Sequence, residues 1–246
     1  MAAAAGEVAV RYPRRRAVRA TLKGLARVAF GLVSRLEIVG RDNIPANGPV
    51  ILVANHFHFA DPVAVLVACR RQVEFIGGFR FVNAPRIVRF IPHLWGYFPA
   101  FRGAYSRSTL RSAIGVLRQG GVVAVFPEGG SWATTLRPGR PGAAFLALES
   151  RVPVVPIGID GMPGLFSGRP RITVRIGSPI GPFRPSTEGA LPRRGEIDAA
   201  TETIMRAIAE LIPPAGHGVY SDDPELREAA LAVAAFPFEK EGMRGL

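Results

Sequence analysis

His56 and Asp61 stand five positions apart in Asn-His-Phe-His-Phe-Ala-Asp, residues 55–61, directly after an apolar run over 50–54. An imidazole is a general base near neutral pH, and a carboxylate on its second ring nitrogen fixes tautomer and orientation. Such a pair suits removal of a proton from a hydroxyl. Asp61 also precedes Pro62, so capping a helix is an alternative use for it. His58, two residues on, is a rival base.

The His-Phe-His pattern also invites a metal reading. In hydrolases built on HxHxDH the aspartate comes one residue earlier than here and a histidine follows it. Of the four histidines only His93 and His217 remain, and neither stands in a ligand motif. No metal site is expected.

A second constellation, Phe126-Pro127-Glu128-Gly129-Gly130, follows another apolar run. Gly129 and Gly130 let backbone N–H groups approach an anionic oxygen, and Glu128 can bind a hydroxyl or orient an arginine. A plain tight turn is the other reading of the glycines. Between the two constellations Arg102 ends the apolar part of GYFPAFRG, residues 96–103, with Arg107 and Arg111 beyond it. An arginine there can hold a phosphate bidentately; solvated surface is the alternative.

These residues need a scaffold, and the pattern supplies one. Short β-branched runs predict strands over 36–39, 50–54, 73–76, 122–126, 154–159 and 171–176. Their near-continuous apolar character suits a sheet covered on both faces. Helical stretches are expected over 61–71, 84–91, 106–118, 141–149 and 194–211, and a last one begins at Asp223-Pro224. The Pro/Gly/Arg-rich stretch 178–193 connects the core to the C-terminal helices. The fold class is α/β: one domain with a mixed, largely parallel sheet flanked by helices. Residues 1–13 read as a flexible tail, 14–36 as a basic amphipathic helix, 37–212 as the α/β domain and 213–246 as a helical appendage.

In 14–36, Val18, Leu22, Leu25, Ala29, Leu32 and Leu36 recur at helical spacing, with Arg16, Arg19, Lys23 and Arg27 on a second stripe. Two uses fit: the apolar stripe packs on the core, or it lies in a membrane interface with the arginines among lipid headgroups. The formal charge of +12 implies a polyanionic partner, whether nucleic acid, an anionic membrane surface or phosphorylated substrate. No nucleic acid is expected, because basic residues are not interleaved with stacking aromatics in any nucleic-acid motif. The single Cys69 excludes an internal disulfide and fits a reducing compartment. The N-terminus has no secretory pattern, and no uncharged apolar run reaches the ~18 residues needed to span a bilayer. Membrane association is therefore expected to be peripheral or monotopic.

Together these pieces resemble a known family. NHFHFAD is similar to the NHxxxxD motif, and FPEGG to the FPEG motif, of the glycerolipid acyltransferases. GYFPAFRG resembles that family's second motif, which ends in arginine, and VPVVPIGI, 152–159, its fourth. The four occur in the family's order. The resemblance implies that His56 is the general base and Asp61 its orienting partner. It implies that Arg102, Glu128, Gly129 and Gly130 bind the acceptor. The acceptor hydroxyl, that of lysophosphatidate, attacks the thioester of acyl-CoA or acyl carrier protein to give phosphatidate, with no acyl-enzyme and no cofactor. The absence of GxSxG, and Cys69's place in an apolar helix, agree with that. The expected site of action is the cytoplasmic face of a membrane. One departure stands out: the third motif usually continues FPEGTRS, whereas this chain reads FPEGGSW. Arg137 and Arg140 are the candidates to replace the missing arginine. Without it, another lysophospholipid or polar-lipid hydroxyl is an alternative acceptor, and a non-catalytic membrane-binding protein is an alternative class.

Overall fold

Side chains along the central strand β2 (Val50–Ala54) pack alternately on opposite faces, and that alternation builds a core on each side of one sheet. Val50, Leu52 and Ala54 enter one apolar cluster, Ile51 and Val53 the other. This is the period-two geometry of a strand, and all five residues are buried because both faces are covered. The computed structural model describes residues 10–77, 90–99, 107–187, 189 and 191–235.

Seven strands form the sheet, in the order β1 (Arg35–Val39), β7 (Arg171–Ile176), β6 (Val154–Asp160), β2, β5 (Val122–Val125), β3 (Val73–Gly77) and β4 (Phe98–Pro99). Neighbours are parallel except β6 with β7, so β1 and β7 run against the other five. The mixed, largely parallel α/β sheet expected from the sequence is the one observed. Helices α4 (Arg107–Arg118), α5 (Gly142–Ser150) and α6 (Arg194–Ala209) cover one face through residues such as Val116, Leu146 and Ile208. Helices α1 (Arg16–Val33) and α2 (Asp61–Ala68) cover the other through Phe30, Ala64 and Val65. A short α3 (Ile91–Trp95) precedes β4. The last helix, α7 (Pro224–Ala232), starts as its sequence predicts, with the Asp223 side chain accepting from the Glu225 N–H at 2.9 Å.

Some expectations change. Strand β4 was not anticipated; it pairs through two residues only, Phe98 and Pro99 against Ile76 and Gly77, too few to leave a pattern. Helix α2 stops at Ala68, and Cys69 follows in extended backbone, buried at the helix end rather than inside it. The helix expected over 84–91 falls mostly outside the described residues, and Arg102 wholly so.

The largest difference concerns α1. Of the two uses open to its apolar stripe, core packing is not the one taken by Leu25 and Leu32, 62 % and 69 % exposed. Leu36 lies in β1, half-buried against the core, while Arg19 is fully buried. The reason lies in its partners. Arg19 donates to both carboxylate oxygens of Glu74 on β3, through Nη2 to Oε2 at 2.8 Å, and through Nε to the Trp95 carbonyl at 2.9 Å. Arg14 adds two bonds to the same Glu74 Oε2, at 2.8 and 3.0 Å. A buried carboxylate paired this fully repays an arginine's desolvation where a leucine would gain nothing from it. Among the described residues no helix is long and apolar enough to cross a membrane.

Candidate active site

Strands β2 and β5 place Val53 opposite Val125, and the site lies three residues past each. There the His56 N–H donates to Glu128 Oε1 at 2.7 Å. Asn55, immediately after β2, is fully buried and ties this end of the strand to β6: its Nδ2 donates to the Ile159 carbonyl at 2.8 Å, and its Oδ1 accepts from the Ile159 N–H at 2.7 Å. Sequence reasoning passed over Asn55, although an amide at the end of a buried strand must find such partners. Three strand ends are thereby locked together at the carboxyl edge of the sheet, where ligands of open α/β folds sit.

His56 and Asp61 meet as their spacing suggests. Nδ1 of His56 is 3.0 Å from Oδ2 of the fully buried Asp61, while the imidazole stays 16 % exposed. With Asp61 ionised and the ring neutral, the carboxylate can only accept, which puts the proton on Nδ1 and leaves Nε2 with the free lone pair. Asp61 is not an N-cap: that position belongs to Ala60, and Asp61 looks back instead, its Oδ2 also accepting from the His58 N–H at 2.7 Å. That second bond folds the 56–61 turn so that the carboxylate reaches the ring. Phe126 lies against the imidazole, ring centroids 4.4 Å apart, and limits its rotation.

His58, the rival base, is set differently. Only its backbone touches Asp61; its own Nδ1 accepts from the Ala60 N–H at 3.3 Å, and burial pushes its pKa down. No carboxylate orients its ring.

Glu128 is turned into the protein. Oε1 takes the His56 N–H, and Oε2 takes Arg137, through the backbone N–H at 3.3 Å and Nη2 at 3.1 Å. Of the two uses open to Glu128, the geometry shows it on an arginine. Burial raises its pKa to about 7, with Arg137 and the two backbone N–H bonds pulling the other way. Gly129 occupies left-handed backbone, φ +75°, and its N–H closes the turn onto the Phe126 carbonyl at 3.0 Å. The carbonyl of buried Gly130 accepts from Arg137 Nη2.

The two arginines that could stand in for the missing one are thus separated. Arg137 is buried on Glu128. Arg140 is half-buried beside Gly129, where an added Cβ would come within 2.8 Å of its Cδ. No structure is described for Arg102.

A histidine–carboxylate pair thus stands at a strand end of a mixed α/β sheet, with Cys69 buried at the end of α2. The chain belongs to the Acyltransferase family, whose model matches residues 35–160, just over half its length. It is 28 % identical to the 1-acyl-sn-glycerol-3-phosphate acyltransferase of Saccharomyces cerevisiae, over 84 % of this chain and 69 % of that protein. Identity is 23 % to the protein of that name in Bacillus subtilis, over 75 % of this chain and 92 % of the relative. The solved structure of the 1-acyl-sn-glycerophosphate (LPA) acyltransferase from Thermotoga maritima superposes with a TM-score of 0.57 at 25 % identity, covering 82 % of this chain and 84 % of the other.

Proposed function

We propose that this chain transfers a fatty acyl group from acyl-CoA or acyl carrier protein to the free hydroxyl of lysophosphatidate, giving phosphatidate. The observation that carries the reading is the His56–Asp61 contact, 3.0 Å long with the carboxylate fully buried and the imidazole still partly exposed. Nε2 of His56 takes the hydroxyl proton as the oxygen attacks the thioester carbonyl. The C–S bond breaks as the tetrahedral intermediate collapses, and the thiolate recovers the proton from His56. Asp61 stabilises the imidazolium in between, and no cofactor is required. The names of the relatives support lysophosphatidate as acceptor. Arg140, at the rim of the FPEG turn, and Arg102 are the cations for its phosphate; Gly129 and Gly130 shape the turn that faces it, and Glu128 holds that turn to His56.

The outward leucines of α1 support docking on an anionic bilayer at the cytoplasmic face, peripherally, with the basic residues of the helix near the headgroups. The FPEGGSW departure favours a second reading, another lysophospholipid as acceptor, since Arg137 faces inward.

The test is thiol release from long-chain acyl-CoA with and without lysophosphatidate, for the native protein and His56→Ala. Release that needs both the acceptor and His56 is expected. Release without acceptor means thioester hydrolysis, and silence with every donor and lysolipid sinks the enzymatic reading.

A further inference from the structure

Arg137 has no task in the mechanism above, yet it is one of the largest fully buried side chains. Burying a guanidinium is costly unless all its donors are paired. Here Nη2 reaches Glu128 and the Gly130 carbonyl, the planar group lies 3.8 Å over the Trp132 ring, and Nε and Nη1 have no hydrogen-bond partner. A group placed only for stability is poorly served by that arrangement. What it does accomplish is local: it fixes Oε2 of Glu128, whose other oxygen holds the His56 main chain.

The loop that carries Arg137 is itself held from the far end of the chain. Leu136 donates to the Gly216 carbonyl at 2.9 Å and accepts from Val219 at 3.1 Å. The Gly139 N–H donates to the Tyr220 hydroxyl at 3.0 Å. Gly218 passes so close that an added Cβ would lie 2.0 Å from the Leu136 carbonyl oxygen. Trp132, under the guanidinium, donates from Nε1 to the Val233 carbonyl at 3.0 Å. All these contacts come from residues beyond the 35–160 span of the family match.

We propose that Arg137 is a positioning residue for the transfer reaction, holding Glu128 against the His56 main chain, and that residues 216–233 hold Arg137 in turn. This rests on the reading of His56 as the base. The groups near Glu128 are His56 and Asp61 from the β2–α2 turn, Arg137 and its neighbour Arg140 from its own loop, and Tyr220 from the C-terminal segment. Arg137 is the cation in direct contact, so its removal leaves a buried carboxyl that takes up a proton at higher pH.

The experiment follows the His56 backbone amide resonance against pH in uniformly ¹⁵N-labelled protein, beside kcat and KM, for the native chain, Arg137→Met, Arg137→Lys and Tyr220→Phe. The native amide should titrate with Glu128, at a midpoint of about 7. Arg137→Met should move that midpoint upward and lower kcat about ten- to a hundredfold, the scale on which outer partners of functional groups act, with both KM values held. Arg137→Lys should recover part of each effect, and Tyr220→Phe should shift the midpoint in the same direction by less. A native midpoint and kcat in Arg137→Met overturn the proposal, as does an activity loss that only tracks the unfolded fraction. Should Arg137→Met not fold, unmoved midpoints in both Arg137→Lys and Tyr220→Phe overturn it. Native protein that transfers no acyl group in any donor–acceptor pair sinks the reading of the reaction instead; an active native enzyme indifferent to Arg137 sinks the positioning role alone.

Discussion

Two buried glutamates, each at an arginine, do opposite things in this molecule. Glu74 receives Arg14 and Arg19, and Arg19 spends its remaining Nε donor on the Trp95 carbonyl. Glu128 receives one arginine whose Nε and Nη1 are left over, and its other oxygen goes to the main chain of a histidine. The first cluster is saturated, joins α1 to β3 and α3, and offers nothing to a ligand. The second is short of partners, sits beside a half-buried imidazole, and is easily perturbed. Saturated buried ion pairs fix structure; incompletely satisfied ones leave polar groups whose state a neighbour can change.

Breaking the second cluster at its reactive end should have the largest effect. His56→Ala is expected to lower kcat by ~10²–10⁴-fold with the unfolding midpoint unchanged, as loss of a general base does. Near-normal turnover would hand the role to His58.

Next comes the first cluster. Glu74→Gln strands Arg19 in the interior and should cost about 3–5 kcal/mol in urea unfolding, the usual penalty for removing one partner of a buried pair. The folded fraction should keep its kcat. A variant that stayed stable but lost turnover would erase the distinction between the clusters.

A third test uses pH. Glu128 is raised to about 7 from an ordinary 4.5, so between these values the folded state binds more protons than the unfolded one. Stability contributed by this group is therefore full below about pH 4.5 and falls as pH rises towards 7, by at most about 3 kcal/mol. Glu128→Gln should flatten that slope in urea midpoints measured across the window. A slope that survives the substitution must come from other groups.

The smallest expected effect is on the outer face of α1. Leu25→Ser and Leu32→Ser should each weaken cosedimentation with anionic vesicles about fivefold, or about 1 kcal/mol for a side chain two-thirds exposed before docking. Unfolding midpoints should not move. Equal binding by both variants would mean that α1 does not meet lipid.

Much of this was legible in the residues, and the exceptions have physical causes. The buried strands announce themselves because a sheet covered on both faces demands unbroken β-branched runs, and His56 and Asp61 because five-residue spacing across a turn brings ring and carboxylate together. Strand β4 is too short to leave a pattern. Apolar periodicity left two uses open for the α1 stripe, and it could not show that Arg19 is buried by a carboxylate 55 residues away that no local window contains. Arg137 and Arg140 are both visible as cations near the FPEG turn. Which of them turns inward depends on Leu136, Gly139 and the distant Tyr220, contacts that spacing does not encode. The C-terminal segment reads as an appendage, yet its short 3₁₀ turns over Pro214–Gly216 and Gly218–Tyr220 are woven into the loop beside the site.

The attachment of α1 also bears on the order in which the chain is made. The partners of its basic side chains, the carbonyls of Cys69 and Arg71, Glu74 and the carbonyls of His93, Leu94 and Trp95, lie 46 to 79 residues further along the chain. The helix is made early, and the full set of these bonds can form only once β3 and α3 have been made. During that interval its leucines are already exposed, and its arginines are not yet committed to the protein.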